Sequence, residues 1–447
     1  MTDHRPARHR WVASLAAAVL AVTGLALVTA QPASAGVSET NYGFQTLGYG
    51  TRGVSDSVGL RSARTAYSYI LCTRLAGKED QESIAEANLP ATDPQVHVEG
   101  VRSTSSTFKT SSGDKGTRSV NNIAKVVLGP ADSPHIVITS LRTESKVWAD
   151  RSGTFHTENT VTSGDIGGQT GTPLDEVLGQ VGAGVRDIIA EIQANGGSYE
   201  IPGLGTLHLG ATDTTKRDRW ARARATIFRL DLSSADTVIT IGRSYARINR
   251  DLPAGVMHGA GYGADVPAAL GGVLKVGRLG TKVLPCEGTR GETRSDSIAG
   301  LNLGNADALV LGALTGRVNG VQEKSGYARA WTEGEAASVR LGPIVITGIK
   351  GHAQVTQTKA GRIHKTIRGS TIGSLSTDGG QTTQAIPDPG QAIEVPGVAK
   401  LTFFVKEKTK RSLFVTAVRI ELLPGSSAGP AGTVVRVGNA RAAIQRY

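Results

Sequence analysis

Two cysteines are the residues of this sequence whose number and spacing most clearly suggest chemistry. Cys72 and Cys286 are the only cysteines among its 447 residues. In an exported chain a pair of cysteines usually forms a disulfide. The two cysteines occupy equivalent positions in the two copies of the internal duplication described below. If those copies pack about a pseudo-two-fold axis, equivalent positions near the axis come within bonding distance. We therefore expect a bridge between the two. The alternatives are free thiols packed as small apolar side chains, or a bridge between molecules.

The densest basic segment is KRDRWARAR, residues 216–224. On a strand, Arg222 and Arg224 share a face because they lie two residues apart. Together with Arg219 they could bind an anionic polymer, while Trp220 stacks on a sugar. The alternative is a charged edge strand that resists pairing with other sheets.

Other motifs with catalytic potential lack the context that their chemistry requires. GSSAG (425–429) matches the G-x-S-x-G elbow, but Pro430 and a further strand follow where a helix is needed, so we predict a hairpin loop. The histidines are scattered without zinc spacing, and no calcium loop or phosphate-binding glycine loop occurs. We expect no metal and no cofactor.

The first 35 residues have the three parts of a secretory signal peptide. Three arginines precede an uncharged stretch rich in Ala, Val and Leu (11–30), and an A-x-A site follows at 33–35. We expect cleavage between Ala35 and Gly36, which places the mature protein outside the cell or at its surface. The alternative is an uncleaved membrane anchor. Otherwise we expect membrane contact only through the signal before cleavage.

Composition favours an all-β secreted protein. Many short Val/Ile/Thr segments are broken by glycine, proline, asparagine and aspartate. The net charge of +11 falls to +9 without residues 1–35, and the arginines are spread along the chain with no run of five like charges. We expect no nucleic-acid partner. An anionic cell-wall polymer or polysaccharide suits such a surface better.

An internal duplication is the clearest sign of domain organisation. Landmarks recur in the same order, which predicts two tandem β-rich domains over 36–249 and 262–447, joined by a linker at 250–261. The pairs include CTR at 72–74 with CEGTR at 286–290, SIA at 83–85 with 297–299, NL at 88–89 with 302–303, VEGV at 98–101 with VNGV at 318–321, LGP at 128–130 with 341–343, ATIFRL at 225–230 with AVRIEL at 417–422, and VITIG at 238–242 with VVRVG at 434–438.

One segment has helical rather than strand periodicity. Over 173–195 the apolar residues form one stripe, Thr172 can cap the N-terminus and a Gly-Gly pair follows the end. The second copy has a polar loop there. We therefore predict an inserted amphipathic helix in the first domain of a mostly-β, sandwich-like fold.

The turn-forming motifs also resemble a known family. IPGLGTL (201–207), a hairpin and IGRSYA (241–246) are similar to the C-terminal signature of the choice-of-anchor P family, and VPG (395–397) with VGNA (437–440) resembles a second copy. These are exported proteins mainly of high-GC Gram-positive bacteria. The resemblance implies secretion and surface display without enzymatic activity. No L-P-x-T-G sorting motif occurs in the sequence, so we expect release or retention by binding.

These observations predict a secreted or envelope-associated, non-enzymatic protein with a binding or structural role. The alternative is a secreted, glycosidase-like hydrolase whose two carboxylates meet only in the fold, because such pairs need no local motif.

Overall fold

The architecture was analysed in a computed structural model of the chain. The structure describes residues 36–55, 60–61, 64–89, 96–129, 136–162, 166–168, 197–201, 204–233, 237–266, 277–303 and 309–445. Within these ranges every regular element is a strand and every pairing is antiparallel, which confirms the mostly-β prediction. The helix predicted over 173–195 and the signal peptide at 1–35 lie outside the described residues.

The described residues between 38 and 249 form fourteen strands: β1 (Ser38–Ser55), β2 (Leu60–Arg61), β3 (Ser68–Ala76), β4 (Glu79–Leu89), β5 (Val96–Lys109), β6 (Lys115–Leu128), β7 (Ile136–Ala149), β8 (Phe155–Thr162), β9 (Ile166–Gly168), β10 (Ser198–Ile201), β11 (Gly205–Leu209), β12 (Thr212–Arg217), β13 (Trp220–Leu232) and β14 (Thr237–Asn249). Sheet A has the order β10–β11–β13–β14–β1–β2, with β12 on β13 and β3 on β1. Sheet B has the order β4–β5–β6–β7–β8, with β9 on β7. β1 and β14 pack onto β5, β6 and β7, so the two sheets form a sandwich.

The described residues between 256 and 445 form fourteen more: β15 (Val256–Val266), β16 (Gly277–Val283), β17 (Arg294–Ile298), β18 (Leu301–Leu303), β19 (Leu309–Leu311), β20 (Leu314–Gln322), β21 (Ala328–Leu341), β22 (Ile344–Gln357), β23 (Ile363–Thr366), β24 (Ser374–Ser376), β25 (Ala392–Val395), β26 (Ala399–Lys408), β27 (Ser412–Leu422) and β28 (Val434–Gln445). Sheet C has the order β16–β15–β28–β27–β26–β25. Sheet D is built on β17–β20–β21–β19–β18, with β22 on β21 and with β23 and β24 on β22. β15 and β28 pack onto β20, β21 and β22.

The two halves share their pairing scheme and their irregularities. The central strands β13–β14–β1–β3 of sheet A correspond to β27–β28–β15–β16 of sheet C. Both halves skip one pair of the ladder at a glycine, Gly242 in β14 and Gly438 in β28, each with a φ of 64°, and the register is the same on both sides of it. A positive φ costs glycine little, because glycine has no Cβ.

Four hairpins also use one type of connection. In TSSGD (110–114), DRSGT (150–154), EKSGY (323–327) and TKAGR (358–362), the glycine has a φ between 80° and 92° and its N–H donates to the carbonyl three residues earlier. Such a glycine lets a short turn match the twist of its strands. The turns join β5 to β6 and β7 to β8 in the first half, and β20 to β21 and β22 to β23 in the second.

Pairing corrects the sequence alignment of the halves in three places. Val98 pairs with Val126, and Leu311 occupies the equivalent place opposite Val339, so residues 98–101 correspond to 311–314 and not to 318–321. Residues 225–230 correspond to 415–420, two residues earlier than expected. The predicted linker 250–261 is also too long, because β15 begins at Val256. Short, similar Val/Gly motifs recur along β-sequences, so spacing alone placed them in the wrong register.

The sandwich centres differ between the halves. In the first half, Ser103, Asn121 and Thr143 form a row across β5, β6 and β7 and are fully buried. The equivalent row in the second half is Gly316, Gly334 and Gly351. A Cβ at any of these three glycines would come closer than 3.0 Å to backbone atoms of the facing strands. The facing sheets therefore touch through backbone atoms at the centre of the second sandwich, whereas small polar side chains fill the centre of the first.

Candidate functional site

The two cysteines form a disulfide that ties the halves together. Cys72 lies in β3 and Cys286 just after β16, with their Cα atoms 5.2 Å apart. Both are fully buried in a small apolar cluster with Leu252 and Val256. The expected bridge is thereby confirmed. It closes a loop of 214 residues, and in the chain-entropy description such a loop contributes about 5 kcal/mol to stability.

Polar contacts between the halves surround this bridge. The Arg247 guanidinium and the Asn249 amide both donate to the Glu287 carboxylate, with Asn249 Nδ2 2.8 Å from Oε2. His258 Nδ1 donates to the Cys72 carbonyl at 2.9 Å. These bonds fix the two halves against each other at the residues next to the disulfide.

His258 is held as a neutral imidazole. Burial and the nearby Arg441 cation lower its pKa to about 4, although the bond to the Cys72 carbonyl acts in the opposite direction. Its Nε2 is buried and makes no hydrogen bond. This agrees with a tautomer that carries its proton on Nδ1.

The structure places the predicted basic residues on β13 or in the turn before it. Arg222 and Arg224 share one face and both contact Asp213 of β12, at 2.7 Å and 3.5 Å. Arg219 instead donates to the Asp251 carbonyl at 2.9 Å. The Trp220 ring lies under the Arg247 guanidinium, 4.7 Å from its centroid. β13 is an interior strand of sheet A, so protecting a sheet edge does not explain these arginines.

Arg222 and Arg224 belong to a larger surface, which we call the basic face. It is the outward side of sheet A and carries rows of arginines and aromatic rings contributed by β13, β14, β1 and the segment before β3. Its residues are Tyr49, Arg64, Tyr67, Trp220, Arg222, Arg224, Arg243, Tyr245 and Arg247.

Among the described residues, two carboxylates make ion pairs with the five arginines of the basic face. Asp213 binds Arg222 and Arg224, and Glu287 binds Arg247. In the part of the chain that the structure describes, no carboxylate lies within 4.0 Å of Arg64 or Arg243. Within the described residues, the basic face therefore carries more positive charge than its carboxylates neutralise.

Arg243 experiences this excess most strongly. Burial lowers the pKa of its guanidinium, and the neighbouring Arg224 and Arg64 cations lower it further, against an opposite effect of Tyr49. The side chain makes one hydrogen bond, from Nη1 to Thr226 Oγ1 at 3.3 Å. Nearby, Arg64 lies over the rings of Tyr67 and Tyr49, and its Nε is buried without a hydrogen-bond partner.

The sequence contained a signal for this part of the face that the motif search missed. In RSYAR (243–247) the basic and aromatic residues alternate with small ones, so a strand must present Arg243, Tyr245 and Arg247 on one side. The family resemblance through IGRSYA (241–246) concerns turn-forming motifs and does not depend on this alternation. That Arg64 joins it follows from the fold and not from any local pattern.

One carboxylate on sheet D, Glu333, is arranged to stay ionised. Glu333 and Glu335 lie two apart on β21, and Arg317 contacts both, at 3.0 Å and 2.6 Å. Burial raises the pKa of Glu333, but hydrogen bonds from His352 and Arg317 outweigh it and bring the pKa to about 2. A glycosidase needs one carboxyl whose pKa is raised so that it can act as an acid. The pKa of Glu333 is shifted in the opposite direction.

Other candidate chemistry finds no support in the described residues. They contain no group of three or more His, Cys, Asp or Glu side chains that could hold a metal ion. GSSAG (425–429) connects β27 to β28 and is not followed by a helix, as its hairpin interpretation requires. No described helix is long and apolar enough to cross a membrane.

Comparison with known proteins adds little. No protein-family model and no curated protein matches the sequence. Among solved structures, the chain is similar to Ail, the attachment invasion locus protein of Yersinia pestis, solved in complex with the heparin analogue sucrose octasulfate. The identity is 9%, the match covers 46% of this chain and 96% of that chain, and the TM-score is 0.11. A TM-score this low carries no argument about fold or function.

Proposed function

We propose that this is an exported, non-enzymatic protein of the cell surface or extracellular space that binds an anionic wall polymer or polysaccharide through the basic face. The observation that carries the proposal is the pattern on sheet A. Five arginines lie among aromatic rings there, and two carboxylates form ion pairs with three of these arginines. The signal peptide expected at 1–35 and the resemblance to the choice-of-anchor P family agree with it.

The pattern suits a polymer better than a single small ion. Charged groups that repeat along neighbouring strands match charges that repeat along a chain, and each fully formed ionic hydrogen bond contributes roughly 1.5–3 kcal/mol. Rings such as Trp220 offer flat apolar surfaces between the charges, and a sugar can stack on such a surface. The bond between Arg247 and Glu287 fixes one side of the face without neutralising the rest.

The test is sedimentation of the mature protein with purified cell walls, before and after their anionic polymers are removed. We expect binding to intact walls that weakens as salt rises, because salt screens exposed charges. Stripped walls should leave the protein in the supernatant. The double variant Arg222→Gln/Arg247→Gln, which removes two arginines that face each other across β13 and β14, should bind at least tenfold more weakly.

A matched control is present in the second half. Arg419 and Arg436 face each other across β27 and β28, which correspond to β13 and β14. Arg419→Gln/Arg436→Gln removes the same charge and should bind like the wild type. Equal loss in both variants would mean that net charge alone is responsible. Full recovery of wild-type protein in the supernatant, or shortening of the polymer during incubation, would contradict a binding role.

A further inference from the structure

Three guanidinium groups of the basic face gather around one place in sheet A. Arg243 is opposite Tyr49 on β1 and opposite Thr226 on β13, and Arg224 is opposite Tyr245, one pair further along. Diagonal neighbours of this kind are within reach of long side chains. Arg64 approaches from the segment before β3, with its guanidinium carbon 5.5 Å from the Tyr49 ring centroid. Arg64 and Arg243 therefore lie beside Tyr49, and Arg224 lies beside Tyr245 in the neighbouring pair.

The second half shows what this place looks like when it has only a structural role. Asn439 follows Gly438 in β28 as Arg243 follows Gly242 in β14. It is fully buried, accepts a bond from Thr416 Oγ1 at 2.9 Å and donates to the Arg436 carbonyl at 3.0 Å. In the second half this place therefore holds an amide whose hydrogen bonds are made within the protein. In the first half the same place holds a cation next to two others, which is unfavourable unless an anion joins them.

We propose that Arg64, Arg224 and Arg243 hold one tetrahedral oxyanion, a phosphate group of a phosphodiester-bearing polymer. The proposal rests on the binding function proposed above and names the chemical group that the basic face selects. The buried Nε–H of Arg64, which has no hydrogen-bond partner in the part of the chain that the structure describes, would donate a hydrogen bond to this anion.

The arrangement of donors favours phosphate over carboxylate. On this same surface a single carboxylate, Asp213, is satisfied by Arg222 with Arg224 at its edge. The two oxygens of a carboxylate lie in one plane, whereas the three guanidinium groups come from three different segments of the chain. A phosphodiester carries two charged oxygens and two ester oxygens arranged tetrahedrally around phosphorus, and it can accept bonds from several directions.

The test measures binding of inorganic phosphate, dimethyl phosphate and acetate to the mature protein by titration calorimetry. We expect saturable binding of both phosphates and at least tenfold weaker binding of acetate. Arg64→Gln and Arg243→Gln should each weaken phosphate binding at least tenfold. Arg229→Gln is the control, because Arg229 also lies on β13 but pairs with Asp231 at 2.7 Å. It should bind phosphate like the wild type.

Thermal unfolding without any anion keeps the test informative if a variant binds nothing. Because Arg243 is crowded by like charges, Arg243→Gln should unfold at the same temperature as the wild type or higher, and phosphate should no longer raise that temperature. A lower unfolding temperature that phosphate still raises would overturn the proposal.

The remaining outcomes separate this proposal from the binding function itself. Acetate that binds as tightly as phosphate would overturn the choice of phosphate. Binding of inorganic phosphate without dimethyl phosphate would overturn the polymer as its source. If the Arg64→Gln and Arg243→Gln variants sediment with walls as the wild type does, the phosphate subsite is wrong and the wall-binding function still stands. If the wild type binds phosphate but does not bind walls, the wall-binding function is wrong and the phosphate subsite still stands.

Discussion

Lowering the pH should decrease the free energy of unfolding through one buried histidine, His258. His258 lies between the halves, donates from Nδ1 to the Cys72 carbonyl and leaves Nε2 buried without a partner. Protonating Nε2 would place a cation in a buried position beside Arg441, Lys78 and Arg278, which all lower the pKa of His258. The folded protein therefore resists a proton that the unfolded chain accepts readily.

The size of the effect follows from the two pKa values. In the unfolded chain the imidazole titrates near 6.5, and burial brings the folded value to about 4. Since the unfolded state binds more protons between these values, stability is complete above pH 6.5 and falls as the pH is lowered toward 4. One pKa unit corresponds to about 1.4 kcal/mol, so the total loss is about 3 kcal/mol.

The assay is denaturant unfolding at intervals from pH 7.5 to pH 4 for the wild type and His258→Gln. Carboxylates titrate in both proteins, so the difference between the two curves isolates His258. We expect that difference to change by about 3 kcal/mol in favour of the variant between pH 6.5 and 4. Parallel curves would refute the reasoning, as would an imidazole resonance of His258 that titrates near 6.5 in the folded protein.

Three further changes test the packing and the ion pairs. Replacing Cys72 and Cys286 together by alanine should lower the free energy of unfolding by about 5 kcal/mol, the chain-entropy value for this loop, and a reductant should then have no further effect on thermal unfolding. Glu333→Gln should cost about 2 kcal/mol at pH 7 in denaturant unfolding. The variant should also lack the loss of stability that Glu333 causes between pH 4.5 and 2, because the pKa of Glu333 in the folded protein is lowered from 4.5 to about 2. Gly334→Ala should lower the free energy of unfolding by at least about 1–3 kcal/mol, because the alanine Cβ would clash with the backbone of the facing sheet. Gly36→Ala, with nothing within 4 Å, should leave the unfolding temperature unchanged.

Local pattern was enough to predict the class of the fold and the bridge. Alternating Val, Ile and Thr with turn residues between them specifies half-buried strands, and β22 shows the expected alternation of buried and partly buried residues. Cys72 and Cys286 stood at matching places in two copies, and matching places near a shared interface are close in space. The secretion signal, the polymer partner and the family resemblance remain predictions.

Register and the composition of the basic face were decided only in three dimensions. A strand repeats its pattern every two residues, so a shift by an even number leaves the buried side unchanged, and this explains the two-residue error at 225–230. The segment at 216–224 showed where arginines are dense but not which of them are neutralised. Asp213 and Glu287 come from other strands and loops and satisfy Arg222 and Arg247. What the sequence determined by itself is therefore strand content, duplication and the disulfide, because each depends on local periodicity or on equivalent positions. Which charges stay uncompensated at Arg64 and Arg243 was decided by the tertiary structure, because neutralisation depends on groups that are distant along the chain.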